Sequence, residues 1–391
     1  TLVAQALDLS SGEVLEVETA LNPQTAWGAD VMTRVQHALA GGAVQLTSAI
    51  RETLGAMVGR GFGPAGLPPG APGGSPAAGP KPRPTTVLLA GNTVMHHLFC
   101  GIDVAPLAHA PFHAEEDGER VFTPKQLGWG LPGQAEIHFL PCLGGFVGSD
   151  ILAGILATGM AETAELTALI DLGTNGEIAL GNRERILCAS TAAGPAFEAG
   201  RIRMGMRAAS GAISHVAARN GLLECRVIGG AAPRGICGSG LVDAAAAGLD
   251  LGRILSNGRL AGGAREMTLA PPVAITQNDI RELQLAKGAI AAGLRILAER
   301  FGARLGDIRR VHLAGAFGNY VNIESARRIG LLEVEAVHPA GNTSLRGVKM
   351  ALLAPSRREQ RIAGIRARAE HVPLAADPKF QETFVDCLAF P

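Results

Sequence analysis

The segment at residues 169–180 reads LIDLGTNGEIAL. Its first apolar run ends at Asp171, and a second apolar run follows a polar turn made of Gly173, Thr174, Asn175 and Gly176. Such a turn bends sharply and offers backbone N–H groups and a threonine hydroxyl to phosphate oxygens, while a carboxylate at a strand end suits hydrated Mg²⁺. The simpler alternative is an ordinary hairpin whose Asn-Gly turn serves backbone geometry. From this segment alone both interpretations stand.

The composition around this segment predicts a well-packed folded protein. The chain has 391 residues, of which 47% are hydrophobic and 18% charged, enough for two or three domains and a substantial core. Lys plus Arg and Asp plus Glu number 35 each, so we expect no nucleic-acid partner and no membrane partner. The apolar runs are too short to span a membrane and no signal sequence opens the chain, so we predict a cytoplasmic location.

The cysteines and histidines do not have the spacing of a metal site. The six cysteines are Cys100, Cys142, Cys188, Cys225, Cys237 and Cys387. Because none are two residues apart and no histidine cluster accompanies them, we expect no zinc site, disulfide framework or four-cysteine iron–sulfur cluster in this chain. His96 and His97 are adjacent, and adjacent helical residues do not share a face, so we expect a partly buried structural role for both.

The order of segments recurs along the chain. Residues 2–18 predict two strands joined by a Ser-Ser-Gly turn, and residues 176–190 likewise predict two strands joined by a polar turn. Helical spacing follows at residues 29–58, with a break at a Gly-Gly pair, and at residues 278–300, with Thr276 or Asn278 as the cap. Each helical region precedes a strand with a similar end, VLLAGN from Val87 and VHLAGAFGN from Val311. The chain is therefore predicted to be internally duplicated.

A repeat of about 220 residues exceeds the units of a solenoid, which run to roughly 20–50 residues. We predict an α/β fold of two halves around a central cleft. The first half is residues 1–145 with a Pro/Gly-rich loop at 59–84, the crossing helix is residues 146–165, and the second half is residues 166–391. When the two openings are superposed, Leu2 falls just after the equivalent of Gly176. We therefore expect the first half to lack its first strand and phosphate loop and the chain to be a piece of a longer protein.

The duplicated halves, together with a phosphate turn and a later Gly-rich turn at the end of a strand, resemble the ATPase superfamily of actin, sugar kinases and heat-shock chaperones. In that superfamily two strand–turn–strand loops clamp the nucleotide phosphates, and a late Gly-rich turn packs on adenosine. DLGTNGE at residues 171–177 resembles the second phosphate loop, and LAGAFGN at residues 313–319 resembles the adenosine turn. The resemblance implies adenosine contacts from Gly315, Ala316, Phe317, Gly318 and Asn319. A strand-to-helix turn without a ligand is the alternative.

Three further segments resemble the large domain of the reductive activators of corrinoid proteins, ATP-dependent redox partners of cobalamin methyltransferases. They are GNTVMHHLFCGIDVAPLAHAPF from Gly91, TAAGPAFEAGRIRMGMRAASGAI from Thr191 and RGICGSGLVDA from Arg234. The resemblance covers most of the chain and implies a duplicated actin-like ATPase fold, ATP and Mg²⁺ as cofactors, a corrinoid protein or methyltransferase subunit as partner, and a homodimer. Relatives carry an upstream domain with a two-iron iron–sulfur cluster that passes an electron to Co(II).

The resemblance also implies roles for individual residues. Asp171 is expected to bind Mg²⁺ through water, and Gly173, Thr174, Asn175 and Gly176 to contact phosphates, since phosphoryl transfer needs mainly positioning and charge stabilisation. Glu198, which follows Gly194 in a turn, is expected to position the metal shell or a water, unless it only supplies charge at a helix N-terminus. Asp150 is our candidate for orienting the attacking water or acting as base; a first-turn helix acid is the alternative.

The segment RGICGSGLVDA precedes an Ala-rich helix. Free N–H groups at such a helix start suit a ribose or phosphate, which makes Gly235, Gly238, Ser239 and Gly240 candidates for nucleotide binding. A cysteine at a helix N-terminus suits a redox or cluster role. For Cys237 we favour the alternative of a small buried residue at a tight turn.

The sequence leaves two other functions open. One is a corrinoid-protein docking module of the same fold without ATP turnover. The other is a small-molecule kinase, although no sugar-binding motif is recognisable in the chain. Hydrolysis of ATP in response to a corrinoid protein, or phosphate transfer to a metabolite, distinguishes these functions from the reductive activator.

Overall fold

Strands alternate with helices along the described part of the chain, which is residues 1–28, 30–60, 84–109, 112–173 and 175–391 of a computed structural model. The strands are β1 (Leu2–Leu7), β2 (Val14–Ala20), β3 (Thr86–Leu89), β4 (Arg120–Phe122), β5 (Glu136–Phe139), β6 (Thr167–Leu172), β7 (Gly176–Gly181), β8 (Ile186–Thr191), β9 (Ala212–Arg219), β10 (Leu222–Val227), β11 (Gly235–Ile236), β12 (Glu266–Ala270), β13 (Val273–Thr276), β14 (Arg310–Ala314), β15 (Val337–Gly341) and β16 (Ala369–His371). The α-helices are α1 (Val31–His37), α2 (Ala43–Arg60), α3 (Thr93–Cys100), α4 (Pro124–Leu127), α5 (Ser149–Thr158), α6 (Gly238–Asp250), α7 (Gln277–Phe301), α8 (Gly315–Gly318), α9 (Ile323–Arg328), α10 (Thr343–Leu353), α11 (Pro355–Arg366) and α12 (Phe380–Asp386).

These elements form two units. Unit 1 consists of Thr1–Ala153 and Ser344–Gly364, and unit 2 consists of Gly154–Thr343 and Ile365–Pro391. The chain passes from unit 1 to unit 2 within α5 and returns to unit 1 at the start of α10. Residues 61–83, the greater part of the predicted Pro/Gly-rich loop, lie outside the described residues.

The main sheet of unit 2 has the strand order β15-β14-β6-β7-β8-β16. Strands β6, β7 and β8 form an antiparallel meander, and β14 runs parallel to β6 on its other edge. The hairpin predicted at residues 169–180 is therefore confirmed as the β6–β7 pair. Strand β6 is central and almost wholly buried, as expected for a strand of apolar residues covered on both faces.

Helix α7 confirms the helix predicted at residues 278–300. Thr276 caps its start, because its side chain accepts from the Asp279 backbone N–H while the Asp279 carboxylate accepts from the Thr276 N–H. The helix ends at Gly302, whose φ of +84° suits a residue without Cβ. Its apolar face packs on β7 and β8, and Ile280, Leu283 and Ile290 are fully buried.

The described residues of unit 1 form two smaller sheets. Strands β1 and β2 form the predicted hairpin, and β3 pairs in parallel with β5, whose other edge is covered by the antiparallel β4. The helical region after β2 is interrupted as predicted, since Gly41 has a φ of +96° between α1 and α2. Trp129, Phe99 and Phe139 form an aromatic core between α2, α3 and β5.

The adjacent histidines of α3 have the structural role predicted for them. A ring nitrogen of His96 lies 3.0 Å from the Gly118 carbonyl oxygen, and a ring nitrogen of His97 lies 3.0 Å from that of Thr93. Both side chains are buried, and burial lowers the pKa of His96 to about 4. The pair therefore packs as neutral imidazoles.

Close backbone contacts explain one glycine of the predicted crossing region and one glycine of α10. A Cβ at Gly148 would fall 2.2 Å from the Gly91 carbonyl oxygen, at the start of α5. A Cβ at Gly347 of α10 would fall 1.8 Å from the Ala153 carbonyl oxygen, so these two helices approach to backbone contact. Across the described residues, no helix has both the length and the apolar content to cross a membrane.

Candidate functional site

The two motifs that resemble nucleotide-binding motifs lie together at the ends of neighbouring strands in the main sheet of unit 2. Strands β6 and β14 are parallel neighbours, and Ala314 at the end of β14 pairs in register with Asp171 near the end of β6. The carboxyl ends of parallel strands are where α/β proteins place ligands. The phosphate-type turn after β6 and the Gly-rich turn after β14 are therefore adjacent.

Gly315 brings the Gly-rich turn against the Asp171 carboxylate. The residue has a φ of +87°, and a Cβ there would fall 2.7 Å from Asp171 Oδ1 and 2.9 Å from the Leu172 carbonyl oxygen. Any side chain at residue 315 would thus strain the backbone and press on the carboxylate. Glycine at this position allows two strand ends to form one surface.

The buried surroundings of the Asp171 carboxyl raise its pKa. Burial raises its pKa to about 6 from an ordinary 3.8, because the low-dielectric strand end disfavours the charged form. A bound cation would oppose this effect by favouring the carboxylate. Perturbed carboxyls of this kind are concentrated at functional sites.

The turn after Asp171 is tight. The Gly173 N–H donates to the Asn175 carbonyl oxygen at 3.1 Å, and Leu172 and Gly176 are paired across the hairpin. Thr174, the predicted hydroxyl donor to phosphate, lies outside the described residues. The predicted phosphate contacts of this turn stay predictions.

Gly176 has a packing reason as well as its predicted ligand role. A Cβ there would fall 1.8 Å from Ile290 Cδ1 of α7 and 2.9 Å from Thr191 Oγ1. The glycine thus lets α7 approach the start of β7. The phosphate contact predicted for Gly176 stays a prediction.

Two segments converge on the Gly-rich turn of α8. The rings of Phe197 and Phe317 stack with centroids 4.9 Å apart and planes 26° from parallel. A Cβ at Gly238 would fall 1.8 Å from the Phe197 carbonyl oxygen and 3.2 Å from Phe317 Cδ2. The loop GPAFE, the start of α6 and the turn GAFG therefore form one packed cluster, although they are far apart in sequence.

The backbone of Gly194 borders open space in this cluster. It has a φ of +79° at the start of the short 3-10 turn Pro195–Glu198, and apart from its chain neighbours no atom of the described residues lies within 4 Å of the Cβ it lacks. Glu198 ends that turn with an exposed side chain, so it is accessible to solvent and solutes. The roles predicted for Gly194 and Glu198 stay predictions.

Side chains at the start of α6 hold that helix to β9. The Cys237 Sγ lies 3.3 Å from Ser239 Oγ and 3.5 Å from the Ile213 carbonyl oxygen, and the Ser239 hydroxyl donates to the Ser214 carbonyl oxygen. A Cβ at Gly240 would fall 2.2 Å from the Ile213 carbonyl oxygen. Cys237 is buried at a tight turn, which favours the structural alternative considered from the sequence.

Two of the remaining predicted glycines pack against backbone carbonyl groups. Gly235 packs against Met204, where a Cβ would fall 2.5 Å from the carbonyl oxygen, and Gly318 packs against the Leu313 carbonyl oxygen. Asn319 is exposed at the end of α8. Asp150 lies in the first turn of α5 in unit 1, where its side chain accepts from the Ile151 N–H at 2.9 Å, and its catalytic role stays a prediction.

One polar pair in unit 2 is absent from the residues predicted above. His215 Nδ1 lies 2.5 Å from Asp243 Oδ2, and the pair lines a pocket of about 340 Å³. Asp243 is buried in α6, and its Oδ1 has no hydrogen-bond partner among the described residues. The only sequence signal was a single acid in the apolar helix GLVDAAAAG, and its partner is 28 residues away.

Family models match nearly the whole chain. Residues 165–391 match the C-terminal domain of RACo, the ASKHA domain, and residues 1–70 and 78–163 match the RACo middle region. Together the two matches include every predicted site residue.

Comparison with individual proteins indicates the same family. The chain is 35% identical to the corrinoid activation enzyme RamQ of Eubacterium limosum, across 98% of this chain and 68% of that protein. It is 29% identical to the [Co(II) methylated amine-specific corrinoid protein] reductase of Methanosarcina barkeri, across 79% of this chain and 63% of that protein. A solved structure titled reductive activator for corrinoid, iron–sulfur protein matches with a TM-score of 0.84 and 31% identity, across 100% of this chain and 64% of that one.

Proposed function

The chain belongs to the RACo family of corrinoid reductive activators, and from this premise we propose that it is the ATP-binding portion of an enzyme that drives reduction of a Co(II) corrinoid. The family model confirms the actin-like ATPase fold of its second half, and this family implies nucleotide binding. The substrate and the reaction of this particular chain are proposals.

The contact between Gly315 and Asp171 carries the proposal. It joins two of the turns that are expected to bind the nucleotide, one for phosphates and one for adenosine, at the carboxyl ends of neighbouring strands. It also leaves glycine backbone where a side chain would exclude a ligand. The observation supports a nucleotide site in unit 2.

The residues present fit Mg²⁺ and ATP. Mg²⁺ is usually held by one or two carboxylates, waters and substrate phosphates, and Asp171 supplies such a carboxylate. The backbone of residues 173–176 would hold phosphates, and residues 315–319 would hold adenosine. When bound, ATP supplies the free energy of hydrolysis. The protein's part is to orient the phosphates and stabilise their charge.

The electron comes from outside this chain in our proposal. Reduction of Co(II) to Co(I) takes one electron, which a reduced two-iron iron–sulfur cluster held outside this chain would supply, while hydrolysis of ATP to ADP and phosphate would supply the free energy. The chain covers 63–68% of the length of the relatives named above, which leaves room for a cluster-binding domain in those proteins. The corrinoid-protein partner and the homodimer belong to the same proposal.

Reduction of a corrinoid protein tests this function. Full-length protein is mixed with a Co(II) corrinoid protein, a low-potential electron donor and Mg-ATP, and Co(I) is followed by its absorbance. We expect ATP-dependent formation of Co(I) that Asp171→Asn abolishes and Asp250→Asn leaves intact, since Asp250 lies at an exposed ion pair with Arg328. Binding of the corrinoid protein without ATP turnover would identify a docking module instead, and phosphate transfer to a metabolite would identify a kinase.

A further inference from the structure

One lysine of unit 2 is buried within helix α7. Lys287 is only 1% exposed, although lysine is almost never buried this fully unless its charge has a partner. Its Nζ donates to the Ala389 carbonyl oxygen at 2.5 Å and lies 5.4 Å from the centre of the Phe390 ring, within cation–π distance. Burial lowers the pKa of Lys287 to about 8, so the ammonium form predominates at pH 7. A buried cation therefore holds a distant segment of the chain against α7.

That segment is residues 387–391, which we call the brace. The Gln284 side-chain amide donates to the Leu388 carbonyl oxygen at 2.9 Å, one helical turn before Lys287. A Cβ at Gly288 would fall 3.1 Å from Leu388 Cδ2, so the glycine allows the brace to approach α7 closely. The brace is thus fastened to consecutive positions along one side of the helix.

The brace also contacts the end of helix α9. Arg328 Nη1 donates to the Pro391 carbonyl oxygen at 3.0 Å. A Cβ at Gly330 would fall 3.0 Å from Pro391 Cγ and 3.4 Å from Lys287 Nζ. The turn after α9, the brace and the buried ammonium therefore form one packed cluster.

The two helices joined by the brace lead to the two turns predicted to bind the nucleotide. On α7, Ile290 lies one turn after Lys287, and a Cβ at Gly176 would fall 1.8 Å from Ile290 Cδ1. Four residues separate the end of α8 from the start of α9. In that linker the Val321 N–H donates to the Phe317 carbonyl oxygen at 3.1 Å. The position of each turn therefore depends on one of the two braced helices.

Stability alone does not call for lysine at residue 287. An apolar side chain of similar length would fill the same space without the cost of burying a charge. What the ammonium adds is a directional, charge-assisted hydrogen bond, which fixes where the Ala389 carbonyl lies along α7. A buried cation in this place therefore serves the alignment of the brace.

We propose that Lys287 is a positioning residue of the nucleotide site, which through the brace holds α7 to the end of α9 and so sets the two nucleotide turns relative to each other. The inference rests on the proposed nucleotide site. Lys287 itself touches neither nucleotide nor metal in this proposal. Because coupling between two sites is reciprocal, ATP bound across both turns also stabilises the brace.

ATP titration of full-length protein tests the positioning role. Lys287→Met keeps the length of the side chain and removes the cation. Leu269→Ala is the control, because it removes a buried side chain of β12 that belongs to neither turn nor the brace. Both variants are compared with the wild type at a temperature where circular dichroism shows all three to be folded. We expect Lys287→Met to weaken ATP binding by about fivefold or more and Leu269→Ala to stay within about twofold of the wild type. Equal ATP affinities of wild type and Lys287→Met would overturn the proposal.

Hydrogen–deuterium exchange tests the coupling without requiring the variant to fold well. In the wild type, saturating Mg-ATP should slow exchange of the brace by about fivefold or more, and unaltered exchange there while ATP is bound would overturn the proposal. If the wild type binds no ATP, the proposed function fails, and exchange of the nucleotide-free Lys287→Met variant decides the further inference by itself. Faster exchange at residues 176–181 and 313–320 together with the brace supports the positioning role. Faster exchange confined to the brace would show that Lys287 stabilises only that segment and would overturn the role.

Discussion

Asp171 and Gly315 lie against each other at the ends of neighbouring strands, so that a Cβ at residue 315 would fall 2.7 Å from the carboxylate Oδ1. The two residues are 144 positions apart in the numbering and belong to the two most specific motifs of unit 2. Their contact joins the turn predicted to hold phosphates to the turn predicted to hold adenosine. The consequences for binding and stability can be measured separately.

Gly315→Ala is expected to weaken nucleotide binding by about tenfold or more, a change of about 1.4 kcal/mol or more. The new methyl would press on Asp171, and the positive φ adds backbone strain of about 1–3 kcal/mol. Gly302→Ala is the matched control, because Gly302 has a similar φ of +84° but open space around its missing Cβ. Urea unfolding and ATP titration are measured for both; equal ATP affinity of the two variants would contradict the assignment.

Asp171→Asn is expected to stabilise the nucleotide-free protein at neutral pH. Burial raises the pKa of Asp171 to about 6, so the folded state holds this proton more tightly than the unfolded state. Stability supplied by the protonated form is present below pH 3.8 and is lost as the pH rises through about 6. The wild type should therefore be less stable than the variant by roughly 1–3 kcal/mol at pH 7.

The same comparison at low pH supplies the control. At pH 4 the wild-type carboxyl is protonated in the fold, so the difference between the two proteins should shrink to a few tenths of a kcal/mol, the size usual for a change that meets no special feature. Chemical denaturation at the two pH values measures both differences. A difference that is independent of pH would show that Asp171 does not titrate as described.

The Phe197–Phe317 stack is expected to couple two loops of the site. Aromatic pairs contribute about 0.5–1.5 kcal/mol beyond the area they bury. A double-mutant cycle with Phe197→Leu and Phe317→Leu should therefore give a coupling free energy of that size in urea unfolding. Additive effects of the two substitutions would mean that the rings pack independently.

A second substitution tests the packing of Gly176 against Ile290. Gly176→Ala should destabilise the protein by about 1–3 kcal/mol, since a methyl cannot fit 1.8 Å from Ile290 Cδ1. Ile290→Val removes that Cδ1 atom. The double variant should lose clearly less stability than the sum of the single variants, as measured by thermal unfolding. If its ATP affinity equals that of the wild type, the Gly176 contribution to binding is confined to its backbone N–H.

Local patterns were sufficient to predict much of this fold. The cap of α7 at Thr276, the break at Gly41 and the β6–β7 hairpin each depend on residues close in sequence, and the structure confirms all three. The duplication was visible because similar strand ends recur. These features identified the sheet edge that carries Asp171.

Contacts between distant residues were not predictable in the same way. The stacking of Phe197 on Phe317 and the pairing of His215 with Asp243 depend on how loops and helices meet in space. The return of residues 344–364 to unit 1 is also set by tertiary packing, since Gly347 contacts Ala153. A single sequence carries no local signal for such pairs.

Equilibrium binding of ATP to full-length protein, with and without Mg²⁺, tests the central claim most directly. If Asp171 holds the hydrated Mg²⁺ of Mg-ATP, Asp171→Asn lowers ATP affinity by about tenfold or more in the presence of Mg²⁺ and has little effect in its absence. Asp250→Asn should match the wild type under both conditions. Equal affinities of wild type and Asp171→Asn in saturating Mg²⁺ would contradict a nucleotide site at this edge of the sheet.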